Sequence, residues 1–95
     1  MKKRFYNKVR IEKEVKKLSP EGLWVTNYEF WKELWASIAI KEISTSKVVY
    51  LFQIKWRGEF PKNFRIIMND EIFSPTQLPV TDVTGDTILF HAKAA

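Results

Sequence analysis

The 95-residue chain has no cysteine, a single histidine and only three glycines, and each scarcity removes a class of chemistry. Without cysteine there is no disulfide, no thiolate metal site and no thiol nucleophile, and the absence fits a reducing compartment. His91 stands alone, so no histidine cluster can hold a metal, and its place in an expected strand reads as structural or solvated. Gly22, Gly58 and Gly85 fall in separate turns and build no phosphate-cradling loop, and no serine sits in a G-x-S-x-G elbow. The carboxylates Glu29, Glu33, Asp70, Glu71, Asp82 and Asp86 show no spacing that pairs them, and surface solvation is their ordinary role. The sequence therefore points away from an enzyme and calls for no cofactor and no metal.

Long hydrophobic runs are also missing: none approaches the roughly 18 apolar residues of a membrane helix. Met-Lys-Lys-Arg has the charge of a signal-peptide lead, but Phe5, Tyr6 and Val9 are interrupted by Asn7, Lys8 and Arg10, so no apolar segment follows. A cytosolic chain without membrane contact is expected.

What is present is core material. Hydrophobic residues make up 45% and aromatics 15% of the chain, enough for one domain spanning 1–95, with residues 1–7 expected as a flexible basic end. The net charge of +5 biases the surface toward anionic partners.

Residues 48–57, VVYLFQIKWR, are the clearest strand. Val48, Tyr50, Phe52, Ile54 and Trp56 share one wholly apolar face, while Val49, Leu51, Gln53, Lys55 and Arg57 share a face that begins apolar and turns polar. This is the pattern of a core strand that emerges into solvent at its end. Residues 6–15 alternate charge with Val9, Ile11 and Val15 and suit a half-exposed strand. Residues 16–22 then reverse the chain, with Pro20 disfavouring helix at Ser19 and Gly22 free to take a positive φ.

Residues 23–40 fit two periods. Trp24, Tyr28, Trp31, Trp35 and Ile38 fall at helical spacing, whereas Phe30, Leu34, Ala36, Ile38 and Ile40 fit period two and the aromatics favour strand. Residues 41–47 read as a polar loop or a single helical turn. After a break at Gly58, Pro61 and Asn63, residues 64–68 and 72–73 form a hairpin around Asn69, Asp70 and Glu71, since Asn and Asp tolerate left-handed backbone. An irregular passage at 74–79 follows. A short strand at 80–83, a turn at Gly85-Asp86 and a final strand at 87–93 complete the chain, the last with Ile88, Phe90 and Ala92 on one face. The expected fold is mainly β: a small antiparallel β-barrel or sandwich of about six strands with at most one short helix.

Two binding chemistries are open. Lys55, Trp56 and Arg57, with Lys62 and Arg65 beyond, set cations beside aromatics, and Lys2, Lys3, Arg4 and Lys8 form a basic end suited to phosphates. Phe52 and Trp56, however, share their face with Val48 and Ile54, which favours core packing over base stacking. Trp24, Trp31 and Trp35 take the same core reading, unless one is exposed at a loop and anchors a protein interface.

In their order, these features resemble the phage head–tail joining family. Val9-Arg10-Ile11 matches its basic first strand, residues 19–22 its Gly-containing loop, and Trp35-Ala36-Ser37-Ile38 its Trp-Ala-x-Ile segment. Residues 52–57 match its alternating strand ending in Arg, Arg65-Ile66 and 69–73 its Arg-Ile strand and tight turn, and Ile88-Leu89-Phe90 its closing strand. The chain departs from the family in lacking the Ser-Gly-x-Glu helix, for which only residues 41–47 are available, and in placing Val49-Tyr50 where a Thr-His pair is common. The resemblance favours strand for residues 24–38 and implies a virion protein assembled in the bacterial host cytoplasm. It implies a ring of copies of this chain that docks below the portal and its adaptor, retains DNA in the channel and accepts the tail. Lys41, Glu42, Ser44, Thr45, Ser46 and Lys47 then become the candidate lumen or ring-contact loop. Lys2, Lys3, Arg4, Lys55 and Arg57, with the Pro-rich passage 74–79, become candidates for docking or DNA proximity. The alternatives are a small basic β-barrel that binds nucleic acid and a protein-interaction module unrelated to virions.

Overall fold

The computed structural model describes residues 7–43 and 48–94. Among them the chain forms seven strands and no helix: β1 (Asn7–Leu18), β2 (Trp24–Ile43), β3 (Val48–Lys55), β4 (Phe64–Met68), β5 (Glu71–Pro75), β6 (Val80–Thr81) and β7 (Thr87–Ala94). All pairings are antiparallel, in the order β3-β2-β1-β4-β5-β7-β6, and β3 also pairs with β7. The sheet thus closes on itself, which fits the expected small barrel, and β5 and β6 share one edge of β7.

β3 has the role its alternation predicts. Its neighbours are β2 and β7 over nearly its whole length, and Phe52 and Ile54 are fully buried, with Tyr50 packed at the core margin. Val9 and Ile11 from β1, Ala36 from β2, Phe64 and Ile66 from β4, Phe73 from β5, and Ile88, Phe90 and Ala92 from β7 complete the core. Each large apolar side chain buried this way contributes roughly 1.5–3 kcal/mol. Aromatic rings run through the interior in contact: Phe52 stacks on Phe90 at 5.3 Å, Phe90 meets the edge of Phe64 at 5.0 Å, and Phe60 links Phe64 to Trp31. Trp31 in turn meets Trp56, whose indole N–H donates to the Glu59 carbonyl.

The β4–β5 hairpin turns on two residues, Asn69 and Asp70, both with positive φ (51° and 64°). Two left-handed residues match the twist of the flanking strands, which is why Asn-Asp serves here without glycine. Glu71 already lies in β5, paired with Met68.

β2 is a strand over 20 residues, so the helical period of its aromatics is not a helix. The cause is a bulge. Ile11 pairs with Lys32 and Glu12 with Phe30, leaving Trp31 without a partner and switching which residues face inward on either side of it. Before the bulge Trp24, Tyr28 and Phe30 face outward; after it Leu34, Ala36 and Ile38 face inward and Trp35 outward. A second register shift separates Ile40 from Glu42, and β2 continues to Ile43 opposite Val48. The expected polar loop at 41–47 is corrected accordingly: Lys41 and Glu42 belong to the strand, because pairing with β3 carries the ladder through them. Ser44, Thr45, Ser46 and Lys47 lie outside the described residues, as do Lys2, Lys3 and Arg4.

β1 and β2 outrun the sheet. β4 pairs with β1 only over residues 10–13, and β3 pairs with β2 only from Ala36, so residues 15–18 and 24–27 pair with each other alone. They form a two-stranded arm reaching about 17 Å past Lys13, at ~3.4 Å per residue. Its tip is tied by Leu23 N–H donating to Ser19 Oγ (3.1 Å) and by Gly22 N–H donating to the Ser19 carbonyl. Gly22 has φ +83°, and a Cβ there would meet nothing within 4 Å, so alanine would encounter backbone strain only. Gly22→Ala is expected to loosen the tip by about 1 kcal/mol. Amide exchange at Ser19 and Leu23 should accelerate about fivefold with an unchanged global melt; unchanged exchange would show that the tip does not depend on this glycine.

Candidate interaction surface

The outer face of β1, β2 and β4 carries the most unusual side-chain arrangement. Along β2 Trp24, Phe30 and Trp35 are 71%, 52% and 54% exposed, and Tyr28 lies between them, also exposed. The inner face of the same arm is more polar, with Lys13 opposite Glu29, Val15 opposite Asn27 and Lys17 opposite Val25. On the arm an aromatic on the solvent side and polar groups on the inner side invert the ordinary order, because the arm has no barrel interior beneath it; Phe30 and Trp35 lie farther along β2, on the outer face of the closed sheet. The core reading of the tryptophans is corrected for Trp24 and Trp35 and retained for Trp31.

Cations from the neighbouring strands lie over these rings. Lys8 Nζ is 5.7 Å from the Trp35 ring, the Arg10 guanidinium 5.1 Å from Phe30, and that of Arg65 4.3 Å from Tyr28. The same groups are tied to carboxylates. Glu12, only 7% exposed, accepts from Arg65 Nε at 2.8 Å and lies 3.3 Å from Arg10 Nε, and Lys8 lies 4.0 Å from Glu33. The result is a near-neutral ladder of arginines, carboxylates and exposed rings. Exposed Trp, Tyr and Arg are the residue types that supply most of the binding energy at protein interfaces in general. Nothing in the sequence marked Glu12 as buried: it looked like one more charge in an alternating strand, and only the approach of Arg65 on β4 covers it.

Two grooves lie on the surface, one of them at the base of the arm. One of about 400 Å³ lies between Glu14 and Tyr28 at the base of the arm and Ser74–Leu78 across from it. A more apolar one of about 220 Å³ is walled by Gly58, Phe60, Leu78, Pro79, Thr81 and Ile88. The Pro-rich passage singled out in the sequence therefore lines both, and Leu78, Val80 and Val83 beside it are strongly exposed. On the rim, the Thr84 hydroxyl and the Gly85 N–H donate to Asp82, and these hydrogen bonds, the hydroxyl first, hold its carboxyl below the ordinary carboxylate range.

Of the remaining sequence candidates, Lys55 is exposed at the end of β3, opposite Thr87. Arg57 is bound to Asp86, with Nε 2.9 Å from Oδ1, and the pair is solvent-exposed, so it adds little stability. His91 sits half-buried on β7, opposite Leu51, and its carbonyl accepts from Thr76. Among the described residues no group of three or more His, Asp or Glu could hold a metal, and no helix is long and apolar enough to cross a membrane.

The sequence matches no family model and no curated protein. Its fold is similar to solved structures. A protein of Shigella flexneri 2a, known from its solution structure, superposes with a TM-score of 0.79 at 13% identity, over 98% of this chain and 95% of that one. A chain from the virion of a native gene transfer agent particle superposes with a TM-score of 0.68 at 16% identity, over 99% of this chain and 98% of that one. At these identities the shared property is the fold, which this chain holds in common with a chain of the gene transfer agent virion along nearly its whole length.

Proposed function

We propose that the chain is a virion structural protein of a tailed phage or prophage-derived particle, without enzymatic activity. In this reading copies of it form a ring in the head–tail connector that docks below the portal and adaptor, retains DNA and accepts the tail. The observation that supports it most is the likeness of fold to a chain of the gene transfer agent virion over 99% of this chain and 98% of that one. The order of motifs in the sequence agrees with it, and so does a small β framework that exposes aromatics on one outer face. The connection between β2 and β3 remains our candidate for the channel lumen or ring contacts, and the basic N-terminal end, Lys55 and Arg57 for docking or proximity to DNA.

The nucleic-acid-binding alternative is less well supported. Its exposed rings are present, but the cations over them are paired with Glu12 and Glu33, which weakens their attraction for phosphate. The purified chain mixed with portal–adaptor complexes is expected to add a ring of density beneath the adaptor in negative-stain images, and to bind short oligonucleotides only weakly at physiological salt. Failure to join those complexes would reject the connector assignment, and tight, salt-dependent oligonucleotide binding would favour the alternative.

A further inference from the structure

From Ala36 back to the tip, β2 pairs with β1 alone, because β3 joins it only from Ala36 onward. One edge of residues 24–30 is therefore open among the described residues. Glu14 fixes which backbone groups line that edge: its N–H donates to the Asn63 carbonyl at 3.0 Å, on the side of β1 away from β2. Hydrogen bonding alternates sides along a strand, so Lys13, Val15 and Lys17 bond across the arm to Glu29, Asn27 and Val25. The N–H and C=O groups of Trp24, Thr26, Tyr28 and Phe30 then point out of the open edge, and their side chains are exposed on the outer face. This edge lacks the devices that keep the edges of monomers from pairing. Residues 24–30, WVTNYEF, hold no lysine, proline or glycine, and the bulge of the strand lies beyond them at Trp31. Their one charge, Glu29, is met by Lys17 of the same arm at 3.1 Å. The arm also gains from support, since a two-stranded ribbon with no core beneath it is only marginally stable in water.

We infer that two copies of the chain pair through this edge, β2 antiparallel to β2 about a two-fold axis at Asn27, so that the two arms become one four-stranded sheet. In that register Trp24 lies opposite Phe30 of the second copy and Thr26 opposite its Tyr28, which carries the aromatic stripe across the axis. Each of the four residues that bond outward gains a partner, and eight backbone hydrogen bonds form. The other edge of the arm is a poorer partner. There β4 and Asn63 close β1 as far as Glu14, so only Lys16 and Leu18 offer free backbone groups, and the lysines at 16 and 17 guard them. Charge points the same way: Glu29 comes opposite Val25 of the second copy and never opposite itself, while the lysines of β1 are carried to the two far edges of the joined sheet. A surface that pairs with itself closes at two copies. The contact is therefore distinct from the head-to-tail one a connector ring requires, and it does not rest on that reading.

The absence of cysteine makes the register testable with single substitutions in the full chain. Asn27 meets Asn27 of the second copy in a non-hydrogen-bonded pair, whose Cα atoms lie about 4.5 Å apart, within the span of a disulfide. Oxidised Asn27→Cys should run as one dimer band on a non-reducing gel, and Val25→Cys should stay monomeric. The unsubstituted chain should sediment as a concentration-dependent dimer in analytical ultracentrifugation. Thr26→Pro removes an N–H from the open edge and none from the ladder within the arm, and should weaken self-association about tenfold or more with the thermal melt unchanged. Asn27→Lys, at an exposed position, should weaken it as much by setting two lysines face to face. A chain that stays monomeric at the highest attainable concentration overturns the inference, as do equal cross-linking of the two cysteine variants, a ladder beyond the dimer, or parent-like association of Asn27→Lys. None of these readouts involves portal–adaptor complexes, so this contact and the connector reading stand or fall separately.

Discussion

Replacing Phe52 with alanine is expected to cost about 3–5 kcal/mol and to lower the melting temperature by roughly 20 °C, the largest effect of any single substitution considered. Phe52 is fully buried, stacks on Phe90 at 5.3 Å and meets Phe73 at 5.8 Å, and it is hydrogen-bond-paired with strands on both sides. Truncation therefore removes the transfer energy of the ring and opens a cavity that a closed sheet cannot collapse around, since β2, β3 and β7 are held by their own ladders. Domains of this size have about 5–15 kcal/mol in total, so a large part of the stability would be lost. Chemical denaturation followed by far-UV circular dichroism measures it. Trp24→Ala, which removes a larger ring, should shift stability by no more than ~0.5 kcal/mol, because that ring is already in water. Equal losses from the two substitutions would contradict the assignment of Trp24 to an outer surface.

The second large effect is expected at Glu12. Its side chain is 9% exposed and bridges Arg65 and Arg10, so Glu12→Ala leaves two guanidinium groups without their carboxylate. Breaking a fully buried pair in this way costs about 3–5 kcal/mol. Here Arg65 and Arg10 are 31% and 51% exposed and water can partly replace the lost partner, which brings the expected loss to about 1–3 kcal/mol. Arg65 also stacks on Tyr28, so the substitution should free the Arg65 guanidinium from that ring and increase motion at the base of the arm. A double-mutant cycle with Arg65→Met separates the pair from its surroundings. Glu12→Met combined with Arg65→Met should recover most of the loss, as paired apolar replacements of buried ions commonly do. Additive losses in the cycle would show that the two residues act independently.

Glu12 and Trp24 belong to one long strand pair, β1 and β2, with a dual use. Where they join the barrel, β1 and β2 point Val9, Ile11, Leu34 and Ala36 inward; on the outer face, from the bulge to the arm tip, β2 turns Phe30, Tyr28 and Trp24 to solvent. Stability should therefore respond to the first set and association to the second. That separation follows from geometry, because a substitution on the arm meets no core.

The β class, the apolar face of β3, the inward triplet Ile88, Phe90 and Ala92, and the left-handed turn at Asn69-Asp70 were all legible in the residues alone. Each depends on local rules: alternation about a two-residue period, or a side chain that tolerates positive φ. The sequence could not decide which face of β2 meets water, because the bulge at Trp31 shifts the alternation by one residue and makes a strand imitate a helical period. Nor could it show that residues 41–43 extend a strand, that Glu12 is covered by an arginine 53 positions away, or that the arm outruns the sheet. Those depend on which strands lie beside one another and where each pairing stops, and only the closed tertiary sheet decides that.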